Sequence, residues 1–228
     1  MQQIKVIAFD ADDTLWDNQV FYDKVESEFC HLLAGYGTAE EISSRLFAIE
    51  MENMDIYKYG AKPFTLSMVE AAVKISRNRV PAEVIGRIVE MGKELLEMPI
   101  RLLGGVTEAL ETLKDDYKLV GATKGDLLDQ ERRLERSGIS HYVDHTEIMT
   151  DKAPQDYQRL ISSLDVAPQS FLMVGNSLKS DVLPVLSLGG HAIHVPAEAM
   201  WKHEVISGTE REYLMIHSLA ELPAVLRG

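Results

Sequence analysis

Three carboxylates follow an apolar stretch near the start of the chain. Residues 4–9 are mostly large and apolar, which predicts a buried strand, and Asp10, Asp12 and Asp13 come directly after it. Acids this close together repel one another unless a proton or a cation lies among them. Open α/β sheets place their ligands at the carboxyl ends of their strands. The stretch therefore predicts a divalent-cation site, although an acidic turn would explain the same residues if they stood alone.

Three further polar side chains stand at junctions between later elements. Thr123 follows a predicted strand at residues 118–122, where its hydroxyl is placed to donate to a phosphate oxygen. Lys152 precedes a predicted helix, and Asp181 follows the predicted strand 171–174. Taken singly, these residues are a turn threonine, a surface charge and an acid at a helix start. Together with Asp10 they predict one polar site at the edge of a sheet.

The elements that must position these side chains alternate from residue 102 onward. Helices are predicted at residues 106–113, 126–136, 154–164 and 181–188, and strands at 118–122, 142–148, 171–174 and 192–195. A possible edge strand at 213–216 and a short helix after Ser218 complete the chain. Alternation of this kind predicts an α/β fold, in which a parallel sheet carries helices on both faces.

Residues 17–100 have a different pattern, because their apolar residues recur at helical spacing. Four helices are predicted there, at about residues 20–34, 40–56, 65–77 and 81–98. We therefore expect an α/β core domain of residues 1–16 and 101–228. A small α-helical domain, residues 17–100, interrupts it.

The polar residues, in this order, resemble the motifs of the haloacid dehalogenase-like hydrolase superfamily. Its first motif is an apolar strand followed by D-x-D-x-T-L, which is matched here by DADDTL after residue 9. Its later motifs supply a Thr, a Lys and an Asp, which are matched by Thr123, Lys152 and Asp181. The resemblance covers the whole core domain and implies a Rossmann-like parallel sheet. It also implies that the helical insert is the cap domain found in the phosphatase branch.

The resemblance assigns a role to each matched residue. Asp10 is expected to be the nucleophile that forms an aspartyl phosphate, and Asp12 the general acid and base. Magnesium (Mg²⁺) is the expected cofactor, held by the carboxylates of Asp10 and Asp181 and by the backbone carbonyl of Asp12. Lys152 and Thr123 are expected to hold the transferring phosphoryl oxygens. The substrate is then a small phosphorylated molecule.

One position departs from the superfamily's pattern. Many members carry two acids in the last motif, whereas here Gly175 is followed by Asn176. Asn176 is able to orient a metal-bound water or to offer its carbonyl oxygen, so we expect weaker metal binding rather than loss of activity. The exact ligand set therefore stays open.

Four other residues are candidate substrate contacts. Lys58, Tyr59 and Lys62 lie in a predicted loop, residues 57–64, between the second and third helices of the insert. Two cations and an aromatic ring suit an anionic leaving group, although ordinary solvated lysines explain the same loop. Lys124, beside Thr123, is the fourth candidate.

Composition excludes several classes of protein. The 228 residues carry a formal net charge of −13 with no basic stripe, which argues against binding a nucleic-acid backbone. The one cysteine, Cys30, forms no disulfide within the chain, and no uncharged run reads as a membrane span. With no secretory apolar region at the start, we expect a cytoplasmic protein.

Alternative functions remain at this point. A dehalogenase does not keep an acid two residues after its nucleophile, so Asp12 favours phosphate chemistry. A phosphomutase uses the same four motifs and is not excluded. A phospho-acceptor signalling domain is much shorter, lacks a helical insert and takes its acceptor from a middle strand. A binding protein without catalysis is disfavoured by the intact set of polar residues.

Overall fold

The computed structural model describes residues 4–206 and 211–227, and the chain divides into two compact units. One unit joins the two ends of the chain, Met1–Gln19 and Ile100–Gly228, and the other is the continuous stretch Val20–Pro99. The helical insert predicted at residues 17–100 corresponds to the second unit, although its role as a cap stays a prediction. We call the first the sheet unit and the second the helical unit.

A parallel sheet is the centre of the sheet unit. Its strands are β1 (Val6–Phe9), β2 (Lys118–Lys124), β3 (His145–Met149), β4 (Phe171–Gly175), β5 (His191–His194) and β6 (Leu214–Met215). The strand order is β3-β2-β1-β4-β5-β6, and every neighbouring pair is parallel. The predicted Rossmann-like α/β fold is therefore confirmed.

The strand β1 is buried on both faces, as its apolar sequence predicts. Side chains alternate across a strand, so Ile7 and Phe9 enter one hydrophobic core while Val6 and Ala8 enter the other. Because β1 lies between β2 and β4, its carboxyl end opens at the point where the strand order reverses. Asp10 follows β1 at this point, which is where open α/β sheets bind ligands.

Four helices form the helical unit around a core of its own. They are α1 (Gln19–Leu32), α2 (Ala39–Tyr57), α3 (Ala61–Ile75) and α4 (Ala82–Leu96). Large buried side chains from α1 to α4, including Phe29, Leu46, Met68 and Met91, fill this core. Cys30 lies in the same core.

The third helix begins earlier than predicted. It starts at Ala61 rather than Thr65, so the connection after α2 is residues 58–60 rather than 57–64. Pro63 lies in the first turn of α3, where its missing N–H has no intrahelical partner to lose. Gly60, with φ of 115°, turns the chain into the helix. The proline is therefore accommodated within the first turn of α3.

Five helices surround the sheet in the described part of the sheet unit. They are α5 (Val106–Leu113), α6 (Leu127–Ser137), α7 (Pro154–Ser163), α8 (Leu183–Ser187) and α9 (Leu222–Arg227). The α5 helix packs in the core that contains Ile7, and α7 packs in the core that contains Val6. Across the described ranges, none of the helices combines the length and the apolar character that crossing a bilayer requires.

The helix predicted at residues 181–188 is interrupted. A π-helical turn, Leu178–Val182, precedes the short helix α8. Pro184 has no N–H with which to continue an α-helical ladder to the carbonyl of Ser180. That carbonyl accepts a hydrogen bond from the Tyr157 hydroxyl at 2.9 Å instead. A π-turn of this kind frequently marks a functional site.

Candidate active site

Asp10, Lys152 and Asp181 meet in the interior of the sheet unit. The backbone N–H of Asp10 donates to the Val174 carbonyl at 2.9 Å, which continues the β1–β4 pairing past the end of β1. The Lys152 ammonium donates to Asp10 Oδ1 at 2.5 Å and to Asp181 Oδ1 at 2.7 Å. Thr14 Oγ1 donates to the other oxygen of Asp10 at 3.0 Å. Three residues predicted from separate parts of the chain thus form one buried cluster.

Burial sets the electrostatics of this cluster. Burial raises the pKa of Asp10, Lys152 acts to lower it, and the nearby Asp181 acts to raise it. The result is a pKa of about 7. Burial alone would lower the pKa of Lys152, but its two carboxylate partners outweigh burial and raise it. One ammonium therefore contacts two buried carboxylates and neutralises only one of their two negative charges. The second negative charge favours a proton or a further cation.

The loop after β4 is shaped around the Asp181 carboxylate. The Ser177 backbone N–H donates to Asp181 Oδ2 at 2.9 Å. A Cβ atom on Gly175 would lie 2.3 Å from that same oxygen, so only glycine allows this approach. This close contact is the physical reason for a glycine at position 175.

Asp12 lies in a different environment from Asp10. Its Oδ1 accepts hydrogen bonds from Trp16 Nε1 and from Arg133 Nη1, both at 2.8 Å. Its Oδ2 accepts one from Gln130 Nε2 at 2.9 Å. Sequence reasoning missed Gln130 and Arg133, although two polar residues three apart on the buried face of a helix are a signal that was available.

Thr123 and Lys124 end β2 at the same edge of the sheet. Thr123 is buried, and Lys124 is paired with Glu204, their charged atoms 2.7 Å apart. Glu204 also accepts hydrogen bonds from the hydroxyls of Ser177 and Ser180. Glu204 was not predicted, because it lies in a short helical turn without any motif. Contact of Lys124 with substrate stays a prediction.

Asn176 is held through its backbone. Its N–H donates to Thr14 Oγ1 at 3.0 Å, and its carbonyl oxygen lies 2.9 Å from His194 Nε2, which is the nitrogen that carries the proton in this contact. The side chain is half-buried. Its action on the metal therefore stays a prediction.

The donors present fit Mg²⁺. Within residues 4–206 and 211–227, no three His, Cys, Asp or Glu side chains are grouped so as to hold a metal ion. The predicted ligand set is the carboxylates of Asp10 and Asp181, which both contact Lys152, with the backbone carbonyl of Asp12, and this set stays a prediction. Mg²⁺ characteristically takes one or two carboxylates and keeps several waters, so it suits an all-oxygen set of this size.

The other three candidate substrate contacts belong to the helical unit. Lys58 ends α2 with φ of 58°, and its ammonium lies 4.0 Å from Asp55. Tyr59 is in the short connection, and the exposed Lys62 is in the first turn of α3. Their contact with substrate stays a prediction.

Comparisons with known proteins agree with this fold. The family model for haloacid dehalogenase-like hydrolases matches residues 4–189. A crystal structure of a haloacid dehalogenase-like family hydrolase from Xanthomonas campestris is 38% identical, with a TM-score of 0.90 over 99% of this chain and 91% of that one. The glyceraldehyde 3-phosphate phosphatase of Pyrococcus furiosus is 24% identical over 83% of this chain and 79% of its own length. A phosphatase of the same family from Thermococcus onnurineus, 22% identical over 99% of both chains with a TM-score of 0.66, has the same fold.

The match to the family model covers most of the chain, including the strand that precedes Asp10 and the loop that carries Asp181. The chain therefore belongs to the haloacid dehalogenase-like hydrolase family. It is an enzyme of that family, with phosphatases among its relatives.

Proposed function

We propose that the protein is a Mg²⁺-dependent phosphatase that hydrolyses a small phosphorylated metabolite through an aspartyl phosphate. The observation that carries this proposal is the buried contact of Lys152 with both Asp10 and Asp181. It brings a nucleophilic carboxylate, a cation for phosphoryl oxygens and a second carboxylate to one strand end. The named activity of the Pyrococcus relative also favours phosphate chemistry.

In the first step, an oxygen of Asp10 attacks phosphorus and the bond to the leaving oxygen breaks. Asp12 gives its proton to that oxygen, so the leaving group departs as an alcohol. Lys152 and Thr123 donate to the oxygens of the transferring group and stabilise their negative charge. Asp10, Asp181 and the Asp12 carbonyl would hold Mg²⁺, which would supply further charge neutralisation at those oxygens.

In the second step, water attacks the phosphorus of the acyl phosphate. Asp12 now takes a proton from the water, and the bond between phosphorus and Asp10 breaks. Inorganic phosphate leaves and the Asp10 carboxylate is restored. The same carboxyl group therefore acts as an acid in one step and as a base in the next.

A generic chromogenic ester, p-nitrophenyl phosphate, tests the proposal. We expect turnover with Mg²⁺, loss of turnover in excess chelator and recovery when Mg²⁺ is restored. Asp10→Asn should be inactive under every condition, whereas substitution of the exposed Arg132 by Met serves as a control that keeps the wild-type rate. Undiminished activity in excess chelator would contradict the metal assignment.

The same assay separates the proposal from other functions. A phospho-acceptor protein would accept one phosphoryl group per chain and release almost no phosphate. A panel of phosphate esters should include glyceraldehyde 3-phosphate, because the Pyrococcus relative is named for it. Failure to hydrolyse any ester in the panel would overturn the proposed function.

A further inference from the structure

Three side chains surround the Asp12 carboxylate. Two of them, from Gln130 and Arg133, stand in no motif of the sequence. In the part of the chain that the structure describes, the side chains of Trp16, Gln130 and Arg133 donate to this carboxylate, and we call these three residues the Asp12 clamp. Gln130 and Arg133 come from α6, more than a hundred residues away in the chain. The clamp therefore ties the turn after β1 to α6, the helix that follows β2 in the chain.

Arg133 acts on Asp12 from inside the protein. Its side chain is 3% exposed, whereas that of Asp12 is 25% exposed. The guanidinium also lies over the Trp16 ring, 5.6 Å from the ring centre. Asp12 is thus open on one side, while Arg133 is covered, so Arg133 influences chemistry through Asp12 and not by touching a substrate.

The burial of Arg133 is unfavourable for stability by itself. Among the residues that the structure describes, its Nε and Nη2 atoms have no hydrogen-bond partner, and neither has Oε1 of Gln130. A buried donor or acceptor without a partner destabilises the folded state, because it has given up its hydrogen bonds to water. A buried ion pair is also often no more stable than an apolar replacement. These two facts favour a functional reason for the ion pair between Arg133 and Asp12.

The hydrogen bonds distinguish the two oxygens of Asp12. A carboxylate offers about four lone-pair positions, two on each oxygen. Trp16 and Arg133 occupy both positions of Oδ1, while Gln130 occupies only one position of Oδ2. One position on Oδ2 is left to exchange a proton.

We propose that the clamp positions Asp12 so that Oδ2 is the atom that carries the proton. The inference rests on the proposed function, because it assigns an atom to the general acid and base. The Oδ2 proton passes to the leaving oxygen as the bond from phosphorus to that oxygen breaks. Oδ2 then accepts a proton from the water that attacks the acyl phosphate, as the bond from phosphorus to Asp10 breaks. Trp16, Gln130 and Arg133 are positioning residues in this scheme.

Two substrates with different leaving groups test the proposal. The p-nitrophenolate of p-nitrophenyl phosphate leaves with little help from a proton, whereas the alkoxide of glycerol 2-phosphate needs one. In Arg133→Met we expect kcat/KM to fall roughly 10–100-fold for glycerol 2-phosphate, because small misplacements have effects of that size. The loss for p-nitrophenyl phosphate should be several-fold smaller. Arg132→Met, the same change at the exposed neighbour, should alter neither substrate.

Other variants separate positioning from folding. Gln130→Met removes the donor to Oδ2 and keeps the side-chain length, so it should show the same bias between substrates. Arg133→Lys keeps a cation and should recover part of the loss. Thermal unfolding of each variant should stay within a few degrees of wild type. Equal losses for the two substrates, or no loss in either Arg133→Met or Gln130→Met, would overturn the proposal.

Asp12→Asn separates a failure of the proposed function from a failure of the positioning role alone. If it is as active as the wild type, or if the wild type hydrolyses neither ester, the proposed function itself is wrong. If Asp12→Asn is impaired while the clamp variants behave as wild type, only the positioning role is wrong.

Discussion

Asp10 and Asp12 are two residues apart, but their surroundings differ in ways that suit different tasks. Asp10 is buried, contacts Lys152 and Thr14, and has its pKa raised to about 7 by burial. Asp12 is partly open and is surrounded by neutral and cationic donors from Trp16, Gln130 and Arg133. A carboxylate held beside an ammonium suits attack on phosphorus, and one with an open side suits proton exchange.

The raised pKa of Asp10 predicts how Mg²⁺ affinity depends on pH. The protonated carboxyl cannot serve as a ligand, so a proton and the metal compete for Asp10. As pH rises toward about 7, a growing fraction of Asp10 is ionised and Mg²⁺ affinity should increase, by up to ~10-fold per pH unit. Above about pH 7 the affinity should level off. Calorimetric titration between pH 5.5 and 8.5 measures this directly.

The control for that titration is Asp10→Asn, which removes the competing proton. Its weaker Mg²⁺ binding should be nearly independent of pH over the same range. A wild-type affinity that stayed flat from pH 5.5 to 8.5 would contradict the link between burial of Asp10 and metal binding.

At the scale of single residues, the sequence predicted the members of the cluster but not their partners. Asp10, Lys152 and Asp181 stand in recognisable motifs at strand and helix ends, and the parallel sheet then brings them together. Arg133 and Glu204 stand in no motif. They reach their partners because of how α6 and the chain after β5 pack, which a one-dimensional pattern does not encode.

Among the elements, the π-turn after β4 does most to place Asp181. Glu204 holds this turn, because it accepts hydrogen bonds from the Ser177 and Ser180 hydroxyls and pairs with Lys124. Burial acts to raise the pKa of Glu204, but Lys124 and the two hydroxyls outweigh it and lower the pKa to about 2. The sequence predicted a plain helix here because an acid, apolar residues and a closing glycine pair fit one, and the effect of Pro184 was not recognised.

Substitution of Glu204 by Gln should therefore destabilise the protein in a pH-dependent way. A carboxyl whose pKa is lowered in the folded state adds stability above its unfolded pKa of about 4.3, and this contribution is lost as pH falls toward the folded value of about 2. The free energy of unfolding should fall by about 1–3 kcal/mol at pH 6–7. The difference from wild type should shrink between about pH 4.5 and pH 2. Urea unfolding at a series of pH values provides the measurement.

Glu198→Gln is the matched control, since Glu198 is an exposed acid in the same segment. It should change the unfolding free energy little at any of these pH values. If Glu204→Gln lost the same stability at pH 2.5 as at pH 7, the lowered pKa of Glu204 would not be the cause.

For the whole molecule, the pattern of apolar residues was enough to predict the main features of the fold. Short apolar runs and the alternation of strands with helices predicted the parallel sheet, and helical spacing predicted the four helices of residues 17–100. The main error lay at α3, which begins at Ala61 and carries Pro63 in its first turn, rather than at the predicted Thr65. Contact of Lys58, Tyr59 and Lys62 with the substrate was also predicted, from their residue types, and this remains to be tested.

Steady-state kinetics across a panel of phosphate esters tests whether Lys58 and Lys62 affect the choice of substrate. We expect Lys58→Ala or Lys62→Ala to change the ratios of kcat/KM between sugar phosphates, nucleotides and small phospho-acids, because each removes a cation near one end of the helical unit. Arg77→Ala, after α3, should leave the ratios unchanged. Lys58 and Arg77 both have positive φ, so alanine meets similar backbone strain at the two positions. Unchanged ratios in both lysine variants would exclude this segment from substrate choice.

The central claim is that Asp10 carries the phosphoryl group, and acid quenching followed by mass spectrometry tests it most directly. Enzyme mixed with substrate and Mg²⁺, quenched in acid within the first turnovers and digested, should yield the peptide containing Asp10 with the mass of one added phosphoryl group. Asp12→Asn should retain this modification, because changing the proton carrier leaves the nucleophile in place, whereas Asp10→Asn should never show it. A phosphoryl group found on another residue, or full turnover by Asp10→Asn, would contradict the account.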